Sequence, residues 1–171
     1  IKLYNTKGTS NYRECIKLAD RVLENSQYMD ELIIQKIYFI KCQTLARLKD
    51  KNPFFENVKN VKEPDRSFLH GFFYRLTGRP ELAIESYNRV LEKKPNDLRV
   101  QAELVLVYMQ KDMHDEASRL AERIYHKYPN NVVHINNYLS CLLNKKKQDI
   151  DFIKVEKIIS ELDAIDSDKA K

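Results

Sequence analysis

A spacing of 34 residues recurs along this chain: Tyr74 and Tyr108, Ala83 and Ala117, Val90 and Ile124, and Pro95 and Pro129 each stand that far apart. Self-similarity at a period of roughly 20 to 50 residues marks stacked supersecondary units, none of which can bury its apolar face alone. In the clearest copy, residues 68–76 form an apolar helical run, and Thr77-Gly78-Arg79-Pro80 breaks it. The proline falls where a first helical turn tolerates it. Residues 81–93 then place Leu82, Ala83, Tyr87, Val90 and Leu91 at helical spacings on one face, and Lys94-Pro95-Asn96-Asp97 ends the run. The spacing predicts an antiparallel helical hairpin. Gly71 and Ala83 lack bulk, so the two backbones are expected to approach closely, with Tyr74 and Tyr87 filling the wedges beside them.

The period extends both ways with less fidelity. Two periods back, Cys15 takes the place of Ala83, and residues 11–19 read as a second helix whose partner ends near Tyr4. Over residues 30–63, Ile33, Ile37 and Ile40 share a face, the amphipathic run continues to Leu48, and the next start at Asn52-Pro53 is displaced. A lengthened first helix and a shortened second one are expected. Forwards, residues 132–147 give a first helix with Ile135, Tyr138, Leu139 and Leu142 inward, and its partner carries Val155, Ile158, Ile159 and Leu162. Val155 lies 38 residues beyond Ala117, so four inserted residues lengthen the turn at 148–151. Residues 163–171 are acidic, small and polar, a composition that predicts fraying. The expected organisation is one domain over 1–171: a truncated hairpin (1–29), a degenerate repeat (30–63), repeats at 64–97 and 98–131, a repeat with an insertion (132–165) and a frayed tail (166–171). The start at Ile1, with neither an initiator Met nor a leader-like apolar run, suggests a piece of a longer protein.

The quoted positions resemble the tetratricopeptide repeat. Gly71-x2-Tyr74, Ala83-x3-Tyr87 and Pro95 fall on that family's Gly, Tyr, Ala, aromatic and Pro positions, while Ser67 and His70 depart from its Trp and Leu. In the next copy Leu104, Tyr108, Ala117, Ile124 and Pro129 match, Val105 replaces the Gly and Ala121 the aromatic. The resemblance implies an all-α fold, a right-handed α-solenoid of stacked antiparallel hairpins whose concave side, lined by first helices, holds a peptide or partner helix. The family's groove positions carry over to Asp65, Phe68, Leu69, Phe72, Arg75 and Leu76 in one repeat. The next gives Arg99, Ala102, Glu103, Leu106, Met109 and Gln110, and the third gives Val133, Asn136, Asn137, Ser140, Leu143 and Asn144. Phe68 and Phe72 either receive an apolar anchor or pack the neighbouring first helix. Arg75 and Arg99 suit an acidic side chain, and Asn136, Asn137 and Asn144 suit a peptide main chain, because an amide both donates and accepts. The family's carboxylate clamp for chaperone tails is absent: Phe68, Phe72, Glu103, Val133 and Asn137 stand at its positions, and Glu103 would repel a carboxylate.

Charge and chemistry-bearing residues narrow the function. The chain has 30 Lys+Arg against 25 Asp+Glu, a net +5, and the excess leans toward residues 1–63 by an amount too small to argue for a nucleic-acid face. Lys145-Lys146-Lys147 reads as a solvated helix end. Cys15, Cys42 and Cys141 are odd in number with no Cys-x-x-Cys pair, which fits a reducing, cytoplasmic setting. His70, His114 and His134 lack metal or general-base spacing, Arg119-x6-His126 sits on a helix whose apolar face is spent on stacking, and no Gly-rich phosphate loop occurs. No enzyme activity, cofactor or metal is expected, and no run is apolar and long enough to cross a bilayer. The expectation is a scaffold-type protein-binding module with no membrane contact. The alternatives are a spacer or self-association domain, and an RNA-binding helical repeat of the pentatricopeptide kind.

Overall fold

The computed structural model describes residues 2–144 and 150–169, with side chains over residues 8–144 and 150–165. Among these residues nine α-helices occur and no strand. They are α1 (Lys2–Leu23), α2 (Glu31–Leu48), α3 (Lys51–Asn57), α4 (Asp65–Leu76), α5 (Pro80–Lys93), α6 (Leu98–Gln110), α7 (His114–Lys127), α8 (Val132–Leu143) and α9 (Phe152–Lys169).

Local chemistry sets the helix ends. The Asp97 carboxylate accepts from the backbone N–H of Arg99 at 3.0 Å and Val100 at 3.4 Å, and Asn131, one period on, accepts from Val133 at 3.1 Å and His134 at 3.3 Å. A side-chain oxygen there satisfies donors that the first helical turn leaves unpaired. Pro80 occupies the first turn of α5, where its missing N–H costs nothing. Three hairpin turns share one closure. Asp50, Arg79 and Met113 donate their N–H groups back to the carbonyls of Leu45, Tyr74 and Tyr108 at 3.0, 2.9 and 2.9 Å. Each turn passes through a left-handed residue: Lys49 (φ 57°), Gly78 (φ 72°) and Asp112 (φ 56°).

The described helices fall into two compact units, residues 1–95 and 96–171. In the first, α1 packs on α2, α2 on α3 and α4, and α4 on α5. Its interior holds Cys42, Leu45, Phe54, Leu69, Phe73, Ala83, Tyr87 and Val90, with Phe54 and Phe73 stacked at 4.4 Å. Gly71 explains how α4 and α5 come so close. A methyl group there would lie 2.5 Å from Cε1 and 2.6 Å from Cδ1 of the fully buried Tyr87 ring. Lys41 is buried between helices and reaches Asp20 on α1 at 2.5 Å and the Asn57 side-chain oxygen on α3 at 2.6 Å. In the second unit, α6 and α7 pair, α7 and α6 pack on α8, and α8 packs on α9. Val105, Ala117, Ala121, Ile124, Ile135, Tyr138, Val155 and Ile158 share its core.

Several elements differ from the sequence reading. The helix read over residues 11–19 extends from Lys2 to Leu23, because Gly8 costs a helix only about 1 kcal/mol relative to Ala whereas a proline would break it. Ile33 and Ile40 do not face inward but are 49% and 51% exposed. The buried face of α2 is Lys41, Cys42, Thr44, Leu45 and Ala46. Leu82 and Ile159 likewise stay on the surface. The eighth helix stops at Leu143, and the lysine run at 145–147 lies outside the described residues. The ninth continues to Lys169 through the segment expected to fray, held by Leu162 and Ile165 against the core.

Two substitutions test this packing. Gly71→Val should destabilise by about 1 to 3 kcal/mol through overpacking. Combining it with Tyr87→Ala reproduces the Val105/Ala121 pair of the next hairpin, and urea unfolding of the full cycle should give a favourable coupling of about 1 kcal/mol or more. Asp112 is 91% exposed, so Asp112→Gly gives up little contact and relieves a left-handed residue. Its urea midpoint should rise, by up to about 1 kcal/mol in stability.

Candidate binding surfaces

The residues expected on a single concave side are divided between the two units: Phe68, Phe72 and Arg75 lie on α4 of the first, and the rest on α6 and α8 of the second. Phe68 and Phe72 are each 4% exposed. Phe68 stacks on Phe39 of the neighbouring first helix at 5.9 Å, meets Tyr87 at 6.0 Å, and stacks on Phe72 at 6.3 Å. These rings are spent on α2 and α5 and leave almost no surface for an anchor.

The surface beside them belongs to α2. Lys36, Ile40, Gln43 and Arg47 follow one another at helical spacings on the side of α2 away from its buried face. Ile40 is half exposed, and Lys36 and Arg47 are exposed. The guanidinium carbons of Arg47 and Arg75 stand 5.3 Å and 5.4 Å from the centroid of the Phe72 ring. Two arginines from neighbouring first helices therefore converge on one aromatic ring. The sequence reading missed Ile40 and Arg47, because it assigned Ile40 to the interior and read no groove position on α2. The four-residue line 36, 40, 43, 47, three of whose members are polar, was the available signal.

In the second unit, Arg99 turns back on its own helix start: Nη2 lies 2.8 Å from Asp97 Oδ2 and Nε 3.2 Å from Oδ1. Burial raises the Asp97 carboxyl, but the Arg99 hydrogen bond and charge, with the Val100 and Arg99 N–H groups, carry it below the usual range. Glu103 and Leu106 are half-buried on α6. On α8, Asn136 and Ser140 are exposed, Asn137 is half-buried and Asn144 is exposed just past the helix end. Val133 and Leu143, 62% and 52% exposed, lie on the same side of α8. The face is an amide and hydroxyl stripe with an apolar residue at each end.

The other polar clusters are structural. Tyr138 donates to Glu122 at 2.7 Å, and Lys154 reaches the same oxygen at 2.6 Å while lying 5.4 Å from the Tyr138 ring. The Lys154 and Tyr138 hydrogen bonds hold the Glu122 carboxyl below its ordinary range, and the same Glu122 contact raises the lysine. Both groups are pushed away from neutrality, which suits a joint between α7, α8 and α9 and not proton transfer. Tyr125 donates to Glu161 in a second joint. Arg119 and His126 are exposed and stand 3.9 Å and 4.0 Å from Glu116 and Glu122 of their own helix. Among the described residues no helix is long and apolar enough to cross a membrane.

The family profile described as tetratricopeptide repeat matches residues 75–135, a stretch that spans α5, α6 and α7. Over those residues the chain is similar to tetratricopeptide repeats. No curated protein and no solved structure matches it. Tetratricopeptide repeats serve in general as non-enzymatic protein-interaction modules.

One buried titratable group sits under the α8 stripe. His134 is 7% exposed, its Nδ1 has no hydrogen-bond partner among the described residues, and its ring lies 6.0 Å from Tyr128. Burial lowers its pKa, as it does that of His70 in the first unit. A depressed histidine favours the folded state above its unfolded pKa of about 6.5, and that stability is lost as pH falls through the folded value. Urea midpoints should therefore drop between about pH 7.5 and 5.5. His134→Gln should shrink the drop without abolishing it, since His70 acts in the same direction.

Proposed function

We propose that this chain binds a peptide or helix of a partner protein on its first-helix faces. The observation that carries the reading is the tetratricopeptide match together with the open side of those helices. Ile40 and Arg47 on α2 and Arg75 on α4 offer apolar and cationic contacts in the first unit. The Asn136, Asn137, Ser140 and Asn144 stripe offers donors and acceptors to a main chain in the second. Asparagine is a poor interior helix residue, so two on α8 weaken that helix unless contact with a ligand offsets the cost. In this reading Phe68 and Phe72 support the face from beneath, and Arg99 orders the start of α6. A chaperone tail is not the ligand, because Glu103 stands where the clamp would need a donor. The buried thiols Cys42 and Cys141 fit a reducing compartment such as the cytoplasm.

Self-association is the second reading. It is favoured by exposed apolar side chains on the terminal helices, among them Leu18 at 49% on α1 and Ile153 at 82% on α9.

Immobilised wild-type chain, an Ile40→Asp/Asn137→Ala variant and a Leu82→Ser control should be compared for capture from lysate of the source cells, with mass spectrometry as readout. The expected outcome is a set of proteins held by wild type and control and lost by the double variant. Equal retention on all three would remove the first-helix faces from the function. Capture of the chain's own full-length parent alone would favour self-association.

A further inference from the structure

A cleft of about 420 Å³ opens between the end of α7 and the second half of α9. Small-ligand sites fall in the range of roughly 300 to 1,000 Å³. Tyr125, Pro129 and Asn130 line the cleft from one side and Glu161, Ala164 and Ile165 from the other, and the exposed His126 ring completes the lining among the described residues. The cleft shares no residue with the first-helix faces, so it stands apart from the reading above.

Its lining has the chemistry of a cation site. Glu161 is half-buried, and the Tyr125 hydroxyl donates to its Oε2. That hydrogen bond fixes the carboxylate in place but does not neutralise it. Among the described residues no cation lies within ion-pair range of Glu161, not even Lys157 one turn earlier on α9. A half-buried carboxylate has lost part of its hydration, and a cation restores what is missing. The Tyr125 ring is stacked on Tyr138 at 5.2 Å, which holds its oxygen where it is. Having given its proton to Glu161, that oxygen still has lone pairs to offer, and Asn130 carries a side-chain carbonyl. Three oxygen-bearing side chains therefore line one cleft, and a primary ammonium has three N–H donors and no acceptor. Pro129, Ala164 and Ile165 supply apolar surface along which a methylene stem can lie. The wider field has the same sign. Residues 161–168 contain Glu161, Asp163, Asp166 and Asp168 and no base, and α7 ends at Lys127, so the negative end of its dipole falls beside the cleft. The Lys127 ammonium lies 5.5 Å from the Tyr128 ring, and Lys127 is not part of the lining.

We propose that this cleft binds a primary ammonium group on an aliphatic stem, with Glu161 as counter-ion and the Tyr125 and Asn130 oxygens as further acceptors. A lysine side chain of a partner protein and a free alkylamine both carry that group. A planar guanidinium, with five donors in a rigid fork, matches three acceptors less well. The contact that joins α7 to α9 thus also presents a charge.

The test titrates ¹⁵N-labelled full chain with N-acetyl-lysine methylamide, its norleucine and arginine counterparts, and pentylamine. The lysine derivative should give saturable shifts of backbone resonances at residues 125–130 and 161–165, with a Kd of about 1 to 10 mM. The norleucine derivative, which lacks the charge, should bind about tenfold more weakly or worse. Pentylamine binding as tightly as the lysine derivative would support the site as one for free amines, and tighter binding of the lysine derivative would support a protein side chain. Glu161→Gln keeps an oxygen for Tyr125 and should weaken the lysine derivative about tenfold. Ala164→Leu narrows the cleft without touching a polar group and should weaken it too, which decides the matter if urea unfolding shows that Glu161→Gln is not folded. Glu156→Gln removes an exposed acid elsewhere on α9 and should leave binding unchanged. Equal binding of the lysine and norleucine derivatives, tighter binding of arginine, an equal loss from Glu156→Gln, or no shift at these residues up to about 50 mM would each overturn the proposal.

Discussion

The close contact between α4 and α5 is the constraint on which the hairpin geometry depends. Tyr87 is fully buried against the bare α-carbon of Gly71, and nothing larger than hydrogen fits between them without moving a packed ring. One period later the same two places hold Val105 and Ala121, both buried in the core of the second unit. The first helix has gained bulk and the second has lost it, so the seam is filled in both cases by one large and one small side chain. A volume-conserving exchange of this kind is what a packed interface tolerates best. In the next copy the first helix brings Leu139, and the matching place on α9, four residues displaced by the insertion, is Ile159. Two large residues cannot share the seam. Leu139 is 8% exposed and Ile159 is 43% exposed.

That seam also explains how much could be read from the sequence. The hairpins at residues 64–131 were legible because their punctuation is local: Gly78 and Pro80 in one turn, and Pro95 and Pro129 as stops one period apart. Turn and stop chemistry needs no knowledge of neighbours. The inward face of α2 was not legible for the opposite reason. Ile33, Ile37 and Ile40 form a helical stripe, yet the chain buries Cys42, Thr44, Leu45 and Ala46 instead, and even Lys41, whose ammonium group is satisfied by Asp20 and Asn57. A buried lysine with two partners looks from sequence like any surface lysine. Small residues near the end of α2 let α1, α3 and α4 approach, and which side they approach is a tertiary fact.

The same distinction governs the surface residues. Phe68 and Phe72 are one turn apart on a first helix, a spacing equally suited to gripping a ligand or to packing a neighbour, and only the partner ring Phe39 at 5.9 Å separates the two. Arg99 looked available until its own cap residue claimed it. By contrast Asn136, Ser140 and Asn144 stay exposed because α8 already fills its inward face with Ile135, Tyr138, Leu139 and Leu142.

The distribution of paired charge gives the proposed faces their character. Away from the α2 line, several charges are compensated at short range: Lys154 and Tyr138 on Glu122, Lys62 on Glu31 at 2.8 Å, Arg89 on Glu85 at 2.6 Å. Exposed pairs of this sort add little stability, about 0 to 1 kcal/mol each, but they leave little field beyond the contact. Arg47 is different in kind, because its recorded neighbour is a neutral ring. A cation resting on an aromatic face keeps nearly its whole charge for whatever approaches from solvent. The burial of Phe72 and the exposure of Arg47 are thus one arrangement. Had the ring been the exposed anchor that the spacing first suggests, it would have offered any apolar side chain a place. Sunk beneath two guanidinium groups, it leaves almost no aromatic surface for such an anchor.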